Sequence, residues 1–491
     1  MRNIRLLISI TVAFLFCSCT KDKPFDYKLT DYSIAKVTCQ ASSNILIADN
    51  VSELDLDVKI YIENGTYTDI NSVKRTAYKE VPKERWRSHD IKFFLADGTP
   101  VVPPFKTASS SVNTLQFYAA VDGIRSTKSV AAYLSEFPPL GSKVTQIAQQ
   151  PEPSFFSVQV KTPFTVGAVK RMPVIFHVIN PKRNEDTYQR IDNAVLYNII
   201  DQWNNVFGRK NDRSPNGGNP NIEFVPALKD PSGKLLDQPG IHKIILTDAQ
   251  VTTFEAGALS YIWSNTSTFY WNCDRYLNVW ISYSSSKLPT TVWQNYIKKS
   301  LPLVYPQGVW NNSAFPLPAD YQAVVKQLNA TALDAWKLNP GGTANTGELE
   351  QVGLLFDYSL LAVKDRVNVV QPMGAFLGLI PNAPLLSTGN YLLPPTGSVR
   401  KWYDDLCTDT WRYNLWFATL DNGGFEPAGT GNPTTKFGQI SGSPNVYTSF
   451  NIMEISSNCT SISQQQTARI NWVLENAPGR QAWKNPSAIT K

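Results

Sequence analysis

Between Arg171 and Asn180 the chain reads "RMPVIFHVIN", a strand-like run that is apolar almost without interruption. A strand points successive side chains to opposite faces, so a run of this kind has to be covered on both sides. "TYQRIDNAVLYNIIDQWNNVFG" (Thr187–Gly208) follows, with Ile191, Val195, Ile199, Trp203 and Val206 at helical spacing and Gly208 as a stop. "NIEFVPAL", "GIHKIIL" and "DRYLNVWISY" (Asp274–Tyr283) then read as strands. Strand, helix and further strands in that order predict an α/β domain with a mixed sheet, within a chain that is α+β as a whole.

The first part of the chain has a different rhythm. "SELDLDVKIYIENG" (Ser52–Gly65) alternates, placing Leu54, Leu56, Val58, Ile60 and Ile62 on one face, and "ENG" reads as a turn. Asp97-Gly98 and Asp122-Gly123 mark two further turns, the second between the two strands of Asn113–Tyr133. Short strands spaced by turns predict an antiparallel sandwich. The stretch "LQFYAAVDGIRSTKSV" resembles the closing hairpin of bacterial immunoglobulin-like domains. "SEFPPLGSKVTQIAQQPEPSFF" (Ser135–Phe156) is rich in Pro, Gln and Ser and reads as a linker. The 491 residues therefore divide into 1–19, a signal peptide; 20–140, an immunoglobulin-like sandwich; 141–165, a linker; and 166–491, a second domain.

At the N-terminus, Arg2 and Arg5 precede "LLISITVAFLF" (Leu6–Phe16), an apolar run of 11 residues. That is too short to span a bilayer and has the length of a signal-peptide core. "CSC" follows, and Ser18 directly before Cys19 resembles the lipobox at which bacterial lipoproteins are cleaved and acylated, whereas Cys17 follows Phe16 and fits it less well. Cys19 is thus the expected lipidation site. The expected location is the outer membrane or cell surface, held to the membrane by a lipid anchor rather than by a spanning helix. Cys39, Cys273, Cys407 and Cys459 remain, in an oxidising compartment and without CxxC spacing. The net charge of +6 is small for this length and forms no basic run, which excludes nucleic acid as a partner.

"QPMGAFLGLIP" (Gln371–Pro381) brings these segments into one frame. Together with the "PVIFHVIN" strand, the helix ending in "WNNVFG", "IEFVPAL" and "YLNVWIS", it resembles the pappalysin-like metallopeptidases. These are metzincins, and the likeness is to lipoprotein members of Gram-negative bacteria. The family's zinc helix reads His-Glu-x-x-His-x-x-Gly-x-x-His. Gly374 and Leu377-Gly378-Leu379 match it, with Gly378 where the backbone bends toward a third ligand. "FNIMEISSNCTSISQQQTARINWVLE" (Phe450–Glu475) resembles the Met-turn and closing helix, which implies that Met453 forms the floor of the cleft. "DLCTDTWR" (Asp405–Arg412) resembles the cysteine-bearing loop between them, which implies a Cys407–Cys459 disulfide. The likeness runs from about Arg171 to Arg480, except over 284–370.

At the ligand and base positions, however, this chain has Gln371, Pro372, Ala375 and Pro381. The motif works because two imidazoles four apart on one helical face bind Zn²⁺ and the adjacent Glu acts as base on its water. An amide, a methyl group and two proline rings do neither. Neither a metal, a cofactor nor a catalytic residue is therefore expected here, and Pro372 fits a helix only in its first turn or as a kink.

The three histidines are His89, His177 and His242. His177 lies in the apolar strand and reads as a satisfied core residue, His242 as a strand-surface residue, and His89 as part of the sandwich. The expected function is non-catalytic binding of a peptide or protein ligand in the old cleft. Two alternatives stand beside it. One is glycan binding, suggested by the aromatics of "LSYIWSNTSTFYWNCDRYLNVW" (Leu259–Trp280), which otherwise fill a core. The other is an active metallopeptidase with a rearranged site, drawing on a histidine with Asp404, Asp405 or Asp409.

Overall fold

The structure is a computed structural model. It describes residues 32–126 and 155–283 with short gaps, then 128–129, 352–357, 367–379, short pieces of 402–453, and 459–490 with one gap. Cys19 and the signal segment, most of the expected linker, Asp404, Asp405 and Pro381 lie outside the described residues.

The N-terminal strands are β1 (Lys36–Ala41), β2 (Ile45–Ile47), β3 (Leu56–Thr68), β4 (Lys74–Glu80), β5 (Ile91–Leu95), β6 (Pro100–Val101), β7 (Thr114–Val121), β8 (Ile124–Arg125), β9 (Lys128–Ser129) and β10 (Phe156–Lys161). They make two sheets, ordered β4-β3-β1-β9 and β2-β10-β7-β5-β6, with β8 on β7. The alternation in β3 has the expected result: Leu54, Leu56, Val58 and Ile60 are buried, and Ile62 partly so. Val58 and Ile60 meet Val37 and Cys39 of β1 and Ala119 and Val121 of β7, so the two sheets share one core. Each such side chain contributes roughly 1.5–3 kcal/mol on burial. Asp122 and Gly123 take φ of 50° and 81°, both left-handed as a two-residue hairpin requires.

Two expectations are corrected here. "ENG" does not reverse the chain. β3 runs through it to Thr68, the register with β4 shifts between Glu63 and Thr66, and Gly65 at φ 86° absorbs the bulge. The linker is also shorter than expected. Phe156–Lys161, read as linker, is β10, antiparallel to β7 and parallel to β2, with Phe156 and Val158 in the core. Its own alternation, Phe156, Val158 and Val160 buried, is the signal that the Pro- and Gln-rich composition masked.

The apolar run is β11 (Lys170–Pro181), the centre of a five-stranded sheet. β12 (Ile222–Pro226) pairs with its first half and β13 (Ile241–Leu246) with its second, while β14 (Leu277–Ser282) pairs along it and carries β15 (Leu354–Asp357). Every described ladder of this sheet is parallel, which explains the lack of a polar face. The mixed pairing expected of the second domain is found in the two N-terminal sheets.

Against β11 packs α1 (Asn193–Phe207), capped by the Asp192 carboxylate accepting from the Ala194 N–H at 2.9 Å. Ile199, Trp203 and Val206 are buried as expected, Leu196, Ile200 and Phe207 are buried beside them, and Ile191 and Val195 are only partly covered. α2 (Asp248–Ala256), α3 (Ala258–Ser264) and α4 (Thr266–Phe269) come between β13 and β14. α5 (Val367–Phe376) and α6 (Gln464–Asn476) complete the described helices, none of which is long and apolar enough to cross a membrane.

Candidate functional site

α5 carries the motif segment. Trp203 of α1 pins it by donating its indole N–H to the Val369 carbonyl at 2.8 Å. Pro372 stands sixth in the ten-residue helix, beyond the first turn, so of the two placements the sequence allowed it is not the first, and one backbone hydrogen bond is missing there. Packing holds the helix regardless, because Val369, Val370, Met373 and Phe376 are all in the main core.

The helix closes at Gly378. Gly378 takes φ 98°, its N–H donates to the Ala375 carbonyl at 3.0 Å, and the Leu379 N–H donates to the Gly374 carbonyl at 2.9 Å. This is the paired closure of a Schellman motif, which needs a left-handed residue. A side chain at Gly378 would also meet Val473 Cγ2 of α6 at 2.6 Å.

Gly374 and Met453 lie side by side. A Cβ on Gly374 would stand 2.7 Å from the Met453 sulfur, and Met453 is fully buried. The Asn451 side-chain oxygen accepts from the Met453 N–H at 3.0 Å and shapes the turn. At Gln371, where the resemblance implies the first zinc ligand, the side-chain amide donates to the Ile452 carbonyl at 2.9 Å, a direct tie from α5 to the turn. Pro372 and Ala375 are buried, and Pro381 lies outside the described residues. The three described positions offer one amide and two side chains with no donor atom, so they do not fit a catalytic zinc.

Cys407 and Cys459 are a correction. Both are buried, but the structure records them as thiols, and the Cys459 sulfur faces the Ser449 carbonyl at 3.7 Å. The two loops do meet, joined by hydrogen bonds instead. Asp409, buried, accepts from Ser463 Oγ at 2.6 Å and from the Gln465 N–H at 2.9 Å, at the N-terminus of α6. Burial pushes the Asp409 carboxyl above the usual range, opposed by those two hydrogen bonds. Sequence reasoning missed this join, although "SQQQ" carried a signal. Ser463 and Gln466 form a capping box, with Ser463 N–H to the Gln466 amide oxygen at 2.9 Å and the return bond at 3.2 Å.

His177 is a satisfied core residue. Its Nε2 lies 2.8 Å from Asn278 Oδ1 and its Nδ1 2.9 Å from His242 Nδ1. The Asn278 amide nitrogen is spent on the Trp271 carbonyl at 2.7 Å, which leaves Asn278 Oδ1 to accept from a neutral His177. Burial lowers His177 to about 3. His242 is not the surface residue expected; it is half-buried against His177 and Trp271, and burial lowers its pKa too. His89 is held by Asp122 at 2.6 Å and Tyr32 at 2.7 Å. Among the described residues no three His, Cys, Asp or Glu side chains gather where they could hold a metal ion.

The aromatics of Leu259–Trp280 serve the core. Phe269, Trp271, Tyr276 and Trp280 are buried, and Tyr261, Trp263 and Tyr270 partly so. The exposed large hydrophobics among the described residues include none of them.

No protein-family model matches this chain, and no curated protein does. Among solved structures, mature mirolysin of Tannerella forsythia in complex with a cleaved peptide matches at 17% identity and a TM-score of 0.36, covering 65% of this chain and 97% of that one. Mirolysin bound to a compound matches at 16% and 0.33, over 65% and 97%. A T. forsythia promirolysin mutant matches at 16% and 0.32, over 65% and 85%. Overlaps at this level carry no conclusion about chemistry, which has to come from the chain's own residues.

Proposed function

We propose that this chain is an exported, lipid-anchored protein of the outer membrane or cell surface, with an immunoglobulin-like N-terminal unit and a metzincin-like second domain that holds peptide without cutting it. The observation that carries this reading is the Gln371 tie. Its amide is committed to the Ile452 carbonyl at 2.9 Å, where the resemblance implies an imidazole on zinc. The left-handed closure at Gly378, the close approach of Gly374 to Met453, and the Asn451 bracket on the turn support this reading. Holding an extended peptide requires backbone hydrogen bonds along a sheet edge and side-chain pockets, and neither needs a metal.

Glycan binding loses its main support with the burial of the aromatic stretch. A rearranged zinc site loses support as well. His177, His89 and Asp409 are each spent on the partners named above, and Asp404 and Asp405 lie outside the described residues.

The test is a pair of arrays, one of unstructured peptides and one of glycans, probed with the mature chain. Retention of a subset of peptides, with mass spectrometry finding them intact, is the expected result. Binding confined to glycans, or peptides recovered as fragments, would refute it.

A further inference from the structure

The outer face of the N-terminal unit carries a set of side chains that its core does not use. β7 buries Phe117, Ala119 and Val121 and turns Gln116, Tyr118 and Ala120 to the other face. Outward positions on such a sheet are as a rule polar. Here Tyr118 is in register with Phe94 of β5, their ring centroids 5.1 Å apart and their planes within 17°. Phe155, just ahead of β10, meets Tyr118 edge-on at 6.0 Å. All three rings are half-buried, so a bar of aromatic surface crosses three strands. These rings are not the aromatics of Leu259–Trp280, which serve a core in the second domain.

Over this bar lies Arg125 of β8, exposed, with its guanidinium carbon 3.9 Å from the Tyr118 ring centre and 4.9 Å from that of Phe155. The charges around it are paired: Lys92 reaches Asp90 at 2.6 Å, and Asp122 reaches His89 at 2.6 Å. Arg125 has only the rings. Among the described residues no carboxylate or other acceptor takes its N–H groups. A guanidinium stacked on a ring is held in plane yet keeps its N–H fork to give, and the group that matches that fork is a carboxylate. The rest of the ligand follows from the backbone. β7 is paired along both edges, with β5 on one side and β10 and β8 on the other. An extended peptide, which binds through backbone hydrogen bonds at a sheet edge, finds none to make here. A sugar ring needs none, because its C–H face lies on aromatic rings and its hydroxyls pair with side chains. Gln116, in register with Ser157 of β10 on the same face, supplies an amide and a hydroxyl beside the rings.

We propose that this face of the N-terminal unit is a platform for an acidic sugar, a pyranose that bears a carboxylate. The carboxylate pairs with Arg125, and the sugar ring lies on the bar formed by Phe94, Tyr118 and Phe155. The platform is separate from the cleft of the second domain and does not depend on what that cleft holds.

The test is an array of hexuronate and sialic acid oligosaccharides, each beside a counterpart whose carboxylates are reduced to alcohols, probed with the mature chain. At least one acidic member should be retained, and its reduced counterpart should bind about tenfold more weakly or worse, the effect of losing a hydrogen-bonded charge. Arg125→Met keeps the contact with the rings and drops the charge, so it should lose that member by about tenfold or more. Lys92→Met removes a cation already spent on an exposed ion pair and should hold the member within about twofold of the parent. Retention of no acidic sugar, equal retention of acidic and reduced members, or acidic binding that survives Arg125→Met would overturn the proposal. Equal retention of tetraglutamate would overturn it too, by making an acidic peptide the occupant.

Discussion

Replacing Arg209 by Met is expected to destabilise the protein by about 3–5 kcal/mol, the cost of breaking a buried ion pair by removing one partner. Arg209 follows Gly208 at the end of α1 and sits at φ 49°. Its guanidinium reaches Asp49 of the N-terminal unit at 2.6 Å and Asp212 at 3.4 Å, and donates to Ser52 Oγ at 2.8 Å. The Arg209 and Asp49 side chains are only 9% and 13% exposed, so water cannot substitute for the lost cation. Around the pair, the Ile47 N–H donates to the Pro215 carbonyl and the Glu53 N–H to the Arg213 carbonyl, so backbone bonds reinforce the same junction. Arg209→Lys should recover only part of the loss, because a single ammonium cannot fork between two carboxylates and a hydroxyl. Urea unfolding checks both variants; a change below about 1 kcal/mol for Arg209→Met would mean that the junction is relaxed in solution.

Acid is expected to weaken the fold through His177. Burial holds it at about 3, against 6.5 for an unperturbed imidazole. Between those values the unfolded chain binds a proton that the folded chain refuses. Stability from this group is therefore complete above about pH 6.5 and falls as the pH drops, by up to about 1.4 kcal/mol per unit and on the order of 5 kcal/mol by pH 3. His242, lowered in the same direction by burial, steepens the fall. Trp271 and Trp280, with ring centroids 5.6 Å and 6.0 Å from His177, report the event by fluorescence. His177→Leu removes the titrating group, so its urea midpoint should depend less on pH between about pH 7 and about pH 4 than the parent's. Equal slopes would contradict a neutral His177 in the folded protein.

The histidines show how far the sequence reaches. That His177 belongs to the core was legible, because a lone polar residue in an otherwise apolar strand has to be satisfied inside. That His242 satisfies it was not, because the two lie 65 positions apart and meet only through the parallel pairing of β11 with β13. Periodicity located α1, but α1's buried stripe depends on how it lies on the sheet, so Leu196, Ile200 and Phe207 join it while Ile191 and Val195 are only partly covered. The linker was misjudged for a related reason: composition averaged a polar stretch together with the strand Phe156–Lys161 that follows it. At the candidate site the helix end was readable from Gly378, since few residues other than glycine accept φ 98°. The Gln371–Ile452 tie and the Asp409 join were not, since each uses a polar side chain whose partner is fixed only by tertiary packing.

In the function proposed above, the Gln371–Ile452 hydrogen bond stands where the resemblance implies a zinc ligand. Elemental analysis of the mature protein, purified without added metal, tests it most directly. Less than about 0.1 zinc per chain is predicted, because Gln371, Pro372 and Ala375 supply none of the imidazole, thiolate or carboxylate ligands that zinc takes. About one zinc per chain, accompanied by peptide cleavage that a chelator abolishes, would contradict the account and return the site to the enzymes it resembles.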